Sequence, residues 1–244
     1  MIEDTELPES AQKAGSAPRT LLYLPGIDGT GRLLFSQPTL QTQFHIVPVS
    51  YPQDRHHDYR DLVDLAVKAL ASYASAVVVA ESFGGAVGLM LALTHPARVE
   101  ELVLVNTFAW YPRRLWIDGA SWVGGSLPGW PASRVGQPIR SYFLFDPEVP
   151  LPIRQEWWRR TADVPLSALA HRVDLIRRLD LRSQLADVRV PTRILAAPND
   201  RMVPCTAGRT LARRIPASQL WQPRVGHAAL VHPRIDLLSW LMNS

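Results

Sequence analysis

Residues 76–81 read Ala-Val-Val-Val-Ala-Glu, an apolar, β-branched run that breaks into Ser82-Phe83-Gly84-Gly85 and then into a helix-like segment ending near Pro96. A short run of this kind reads as a buried strand, and the abrupt change of pattern demands a sharp strand-to-helix turn. Such a turn strains the serine and lifts its hydroxyl above the sheet edge. Small residues two before and two after it, here Ala80 and Gly84, let strand and helix pass closely. The common pattern carries glycine at both positions, so Ala80 is a mild departure. Everything else about the fold has to accommodate this turn.

The flanking sequence alternates in the same way. Residues 20–24 read as a buried strand stopped by Pro25-Gly26, and residues 44–49 as a second. From 58 to 73, Leu62, Leu65, Ala66, Ala69 and Leu70 share one face at the 3.6-residue period, which predicts a helix. Residues 102–105, 192–197 and 219–221 supply further strands, and an amphipathic helix is expected from about 231 to 241. Strand and helix in alternation predict an α/β fold with a mostly parallel sheet of about six strands, covered by helices on both faces. The stretch 108–187 does not follow the alternation and is too long for a plain loop. It holds six of the eight tryptophans and reads as a helical cap, with helices near 152–163 and 165–179. The expected organisation is a mobile leader at 1–18, a core at 19–107 and 188–244, and the cap inserted between.

Composition narrows the function classes. A chain of 244 residues, 47% apolar and 20% charged, can bury a sizeable core. Its net charge of +4 is carried almost wholly by arginine, Lys13 and Lys68 being the only lysines. The arginines are scattered and form no basic tract, so nucleic acid is not an expected partner. No apolar run approaches a membrane span, leaving at most peripheral contact with a lipid surface. The acidic opening carries no signal-peptide pattern, and Cys205 is the only cysteine. Both features point to a reducing, cytoplasmic setting.

A serine hydroxyl needs a base to take its proton, a group to orient that base, and donors for the oxyanion that forms. Downstream of Ser82, the strand at 192–197 ends in Pro198-Asn199-Asp200, which places Asp200 just past a strand's C-terminal end. Asp180 and Asp187 compete for the same role, but both lie ahead of that strand. Val225-Gly226-His227-Ala228 follows the next strand, where the small Gly226 leaves an imidazole room to reach the serine. His45, His95, His171 and His232 read as structural or surface residues. After the first strand, Leu24-Pro25-Gly26-Ile27-Asp28-Gly29-Thr30-Gly31 has three glycines that let the backbone fold tightly against a ligand. The expected donors are the backbone N–H groups of Ile27 and of Phe83. Asp28 and Thr30 are expected to brace that loop, which lacks the features of a Walker or dinucleotide motif.

These residues together resemble the α/β-hydrolase superfamily, over about 19–107 and 188–244. The loop 24–31 with Glu81-Ser82-Phe83-Gly84-Gly85 is similar to a subgroup of bacterial esterase-like proteins and to the hydrolase part of plastid phytyl-ester and diacylglycerol acyltransferases. The resemblance implies Ser82 as nucleophile, Asp200 as acid, His227 as base, and Ile27 and Phe83 as oxyanion donors. It departs in lacking the antiparallel strands that usually open the fold. It implies hydrolysis of small-molecule carboxylic esters with no cofactor and no metal. Acyl transfer and thioester hydrolysis use the same triad, and a ligand receptor could keep the scaffold without the chemistry.

His56 and Asp61 have a spacing found in glycerolipid acyltransferases, but Asp58 and Asp61 also suit a helix cap. Glu81, beside the serine, is expected to point away from it and to be structural. Trp110, Trp116, Trp122 and Trp130 are expected to help line an apolar acyl pocket.

Overall fold

The computed structural model describes residues 18–54, 57–112 and 137–243. Within them the strands are β1 (Arg19–Leu24), β2 (Phe44–Pro48), β3 (Ala76–Glu81), β4 (Val99–Val105), β5 (Thr192–Leu195) and β6 (Ser218–Trp221). They form one sheet in the order β2-β1-β3-β4-β5-β6 with every neighbouring pair parallel. This is the α/β-hydrolase fold, and the strand that ends at the serine turn runs through its middle.

Side-chain alternation divides each strand between two cores. Leu22, Leu24, Val78, Ala80, Leu102, Leu104 and Ile194 face one core. There they meet α1 (Tyr59–Ala69), α2 (Gly84–Thr94) and α6 (Cys205–Arg214). Leu21, Tyr23, Val77, Val79, Val103, Val105 and Leu195 face the other, under Leu33, Leu40, Leu230 and α7 (Leu237–Met242). Burial on both faces explains why β3 is continuously apolar until its final glutamate.

Between β4 and β5 the described residues form α3 (Gln137–Leu144), α4 (Leu151–Arg160) and α5 (Leu166–Arg178). Phe145, Trp157 and Trp158 pack edge to face there, with ring centroids 4.7–6.0 Å apart. Trp157 and Trp158 therefore belong to the packing of the insertion. The leader 1–17 and residues 113–136, which include Trp116, Trp122 and Trp130, lie outside the described residues.

The first helix keeps the cap expected of Asp58 and Asp61 but stops at Ala69, short of 73, and the last helix starts later than expected. The first begins after Asp58, which accepts hydrogen bonds from the N–H groups of Arg60 and Asp61 while the Asp61 carboxylate accepts from Asp58 N–H. These two carboxylates are a capping box. His56 lies outside the described residues. The last helix, expected to start near 231, spans only Leu237–Met242. Pro233 interrupts the chain ahead of it, and Asp236 supplies the N-cap by accepting from Ser239 N–H at 3.1 Å. His232 thus precedes the helix and is buried beside Asp146.

Among the described residues no helix is long and apolar enough to cross a membrane.

Candidate active site

Because the strands are parallel, the loops that leave β1, β3, β4 and β5 all emerge on one edge of the sheet. Open α/β sheets bind ligands at that edge. Ser82 sits there with φ 50°, in the left-handed region a side chain seldom adopts. The turn is held from several sides. Ser82 N–H donates to the Val105 carbonyl at 2.9 Å, and the Ser82 carbonyl accepts from Thr107 Oγ1 at 2.5 Å and from Gly85 N–H at 3.0 Å. At Gly84 a Cβ would lie 2.4 Å from the Pro25 carbonyl oxygen and 2.5 Å from that of Leu24. The serine turn and the loop after β1 are therefore in backbone contact, which only glycine permits.

Asp200 follows β5, and its Oδ1 accepts from the N–H groups of Met202 at 2.7 Å and Val203 at 2.8 Å. Its Oδ2 lies 2.7 Å from His227 Nδ1, and His227 Nε2 lies 3.0 Å from Ser82 Oγ. A carboxylate can only accept, so Nδ1 carries the proton and the Nε2 lone pair faces the serine hydroxyl. The three sequence-selected side chains are thus one hydrogen-bonded chain, although 145 residues separate the first from the last. Asp180 instead pairs with Arg182, so it does not compete for His227.

Asn106, which the sequence reading did not single out, ties two of these loops together. It follows β4 with φ 46°, and its Nδ2 donates to the carbonyls of Gly226 and His227 at 3.1 and 2.9 Å. Its Oδ1 accepts from Ala197 N–H at 2.9 Å, so one side chain sets both the histidine loop and the end of β5. A polar residue directly after a buried strand was the available signal.

The loop after β1 folds as a turn, with Gly29 N–H donating to the Gly26 carbonyl at 3.0 Å. Carbonyl and N–H of a trans peptide point in opposite directions, so the N–H of Ile27 faces away from that turn. Asp28 Oδ1 accepts from Thr30 N–H at 2.8 Å and from Thr30 Oγ1 at 2.6 Å, which braces the loop internally. Phe83 begins the following helix, buried against Tyr59 and Tyr51.

Electrostatics separate two buried titratable groups beside the serine, His227 and Glu81. Burial pushes the His227 imidazole down, but the Asp200 carboxylate, its hydrogen bond and Glu81 together outweigh this and leave it raised. Burial pushes the Glu81 carboxyl from 4.5 up to about 7, opposed by the hydrogen bond it accepts from Tyr23 Oη at 2.8 Å. The sign of the consequence follows from where each state holds its proton. Between pH 4.5 and 7 the unfolded chain releases this proton while the folded protein keeps it, so stability falls as pH rises through that window. Glu81→Gln keeps an acceptor for Tyr23 and removes the ionisation. It is expected to gain on the order of 3 kcal/mol over the parent at pH 8 and little at pH 4. Denaturant melts at both pH values check this; equal differences at the two would contradict it.

Trp110 is placed by β4's exit and by Arg182. It stacks beneath the Arg182 guanidinium at 4.5 Å and lines a shallow cavity of about 350 Å³ with Thr206, Thr210 and Arg213. Ser82, Asp200 and His227 do not line that cavity. Among the described residues, no three His, Cys, Asp or Glu side chains are placed to hold a metal ion.

The fold and this geometry define a class. The chain belongs to the alpha/beta hydrolase family, whose sequence profile matches residues 21–237. It is 31% identical over 176 residues to a pimeloyl-[acyl-carrier protein] methyl ester esterase of Aromatoleum aromaticum, covering 65% of this chain and 69% of that protein. It is 33% identical over 166 residues to the candidate carbamate hydrolase RutD of Variovorax paradoxus, covering 62% of this chain and 58% of the relative. It is 29% identical over 196 residues to the corresponding protein of Serratia proteamaculans, covering 68% and 65%. The chain thus spans less than two thirds of the length of these last two relatives. A hydrolase from Pseudomonas aeruginosa shares the fold with a TM-score of 0.81 at 23% identity, over 93% of this chain and 92% of its own.

Proposed function

We propose that the protein is a serine hydrolase that cleaves carboxylic esters through an acyl-enzyme. The observation that carries this reading is the hydrogen-bonded series Ser82 Oγ, His227 Nε2, His227 Nδ1, Asp200 Oδ2. In it, Ser82 Oγ attacks the ester carbonyl carbon while His227 Nε2 takes the hydroxyl proton. Asp200 fixes the imidazole and stabilises its charged form. The carbonyl oxygen becomes an oxyanion held by the N–H groups of Ile27 and Phe83, each such donor being worth roughly 2.7–4 kcal/mol at the transition state. The C–O bond to the alcohol breaks, and His227 returns the proton to the leaving oxygen. Water then attacks the acyl-enzyme with His227 again as base, releasing the acid and restoring Ser82.

In this reading the insertion is a cap over the acyl group, in the cytoplasm, and the substrate is a small ester with an apolar acyl chain. The relatives support ester and carbamate chemistry, both of which proceed by attack on an acyl carbon. The likeness of loop 24–31 to plastid acyltransferases adds a second outcome, in which an alcohol intercepts the acyl-enzyme faster than water.

One assay tests both. Hydrolysis of p-nitrophenyl esters from acetate to palmitate is expected to peak beyond acetate, with free acid as the product. Sharp preference for acetate would contradict the apolar acyl pocket. An ester product formed on adding an alcohol would move the reading to acyl transfer.

A further inference from the structure

Arg172 is the largest fully buried side chain among the described residues, and none of it is exposed. It stands on α5, within the insertion, yet all its described hydrogen bonds cross to the core. Nη1 donates to the carbonyls of Ile27 at 2.8 Å and Asp28 at 2.9 Å, and Nη2 donates to the carbonyl of Pro52 at 2.7 Å. Gly29 lies directly beneath the guanidinium: it has φ +67°, and a Cβ there would sit 2.7 Å from Arg172 Cζ. Tyr51 closes the other side, with the guanidinium 5.8 Å from its ring centroid.

A buried guanidinium is costly, and a neutral side chain would pack a helix against a loop at less expense. What the cation supplies is direction. It draws two consecutive carbonyls, those of Ile27 and Asp28, to one side, while the Gly26 carbonyl is held by Gly29 N–H. With the carbonyls of 26, 27 and 28 all engaged, the peptide planes of the loop cannot rotate, and the N–H of Ile27 is left facing the other way. Carbonyl dipoles turned away from the site also remove the groups that would repel an oxyanion.

We propose that Arg172 is the positioning residue of the oxyanion loop, so that the loop is set for catalysis only when α5 is seated on the core. This rests on the reading of Ile27 N–H as an oxyanion donor. It adds that the turn orienting the donor is held from the insertion, through the two peptide planes that follow the donor's own, as well as by the loop's Gly26–Gly29 hydrogen bond. Displacing α5 would then disable the oxyanion site without touching Ser82, His227 or Asp200.

The test compares the parent with Arg172→Met and Arg172→Lys by two independent measurements. Amide hydrogen exchange reads the loop itself, whatever the enzyme's activity. Exchange in the peptide covering residues 24–31 is expected to rise at least about tenfold in Arg172→Met, while the peptide containing His227 is unchanged. Steady-state kinetics on a p-nitrophenyl ester reads the consequence. In Arg172→Met, kcat is expected to fall about 10²-fold, as when one oxyanion donor is lost. KM should change by less than about threefold, and the pH midpoint of kcat/KM, set by His227, should not move. Arg172→Lys keeps the charge with fewer donors and is expected to fall between the two; it also serves if the methionine variant fails to fold. A folded variant with unaltered loop exchange and unaltered kcat would overturn the proposal. Faster loop exchange in a protein whose parent neither turns over esters nor reacts with a fluorophosphonate would uphold the latch and overturn the hydrolase reading instead.

Discussion

Replacing Ser82 with alanine is expected to lower kcat for a p-nitrophenyl ester by about 10⁴-fold or more, and His227→Ala to do nearly the same. Each removes a member of a unit that works only when complete, so the double variant should be scarcely worse than either single one. Far-UV circular dichroism and the melting midpoint should stay close to the parent's, because neither side chain supports the sheet. Ser82→Ala exchanges a strained serine for a side chain no larger, and His227 is held largely through its backbone by Asn106. Loss of activity accompanied by loss of fold would remove the argument that these are catalytic groups. Asp200→Asn is expected to be costly too, since an amide can present a donor to His227 Nδ1 and select the wrong tautomer.

Gly84→Ala is the largest expected loss of stability. The new methyl group would meet two backbone carbonyl oxygens, those of Leu24 and Pro25, at 2.4–2.5 Å, and backbone cannot swing aside as a flexible side chain can. Relief requires parting α2 from the end of β1, at a cost of about 3 kcal/mol. Since β1 leads into loop 24–31, which carries the proposed oxyanion donor Ile27, the residual folded protein should also lose activity. Chemical denaturation gives the first quantity and kcat the second. A variant as stable as the parent would show that the serine turn tolerates more separation than the structure implies.

The parts of this protein that were legible in its sequence are those written locally. Val77–Val79 can only be a buried strand, and Ser82 followed by Gly84-Gly85 can only be a tight exit from it. The order serine, aspartate, histidine along alternating strands then placed Asp200 and His227 on one sheet edge before any distance was known. What could not be read depends on residues distant in the chain. Arg172 looks like any arginine on a helix, and nothing near it in sequence reports carbonyls 144 and 145 positions away. Asn106 is a lone polar residue whose partners lie 91 to 121 positions downstream. Tryptophan content is uninformative in a related way. Composition cannot separate rings that pack against one another, as Trp157 and Trp158 do, from rings that face a ligand. The final helix was overextended because its apolar spacing continues across Pro233, where the backbone cannot.

The central proposal is that the imidazole at 227 makes the hydroxyl at position 82 nucleophilic. Incubation with a fluorophosphonate, followed by intact mass and peptide mapping, tests it without knowledge of the natural substrate. A single adduct on Ser82 is predicted, absent in Ser82→Ala and formed far more slowly in His227→Ala. A folded protein that takes up no label, or that keeps its label after Ser82→Ala, would contradict it.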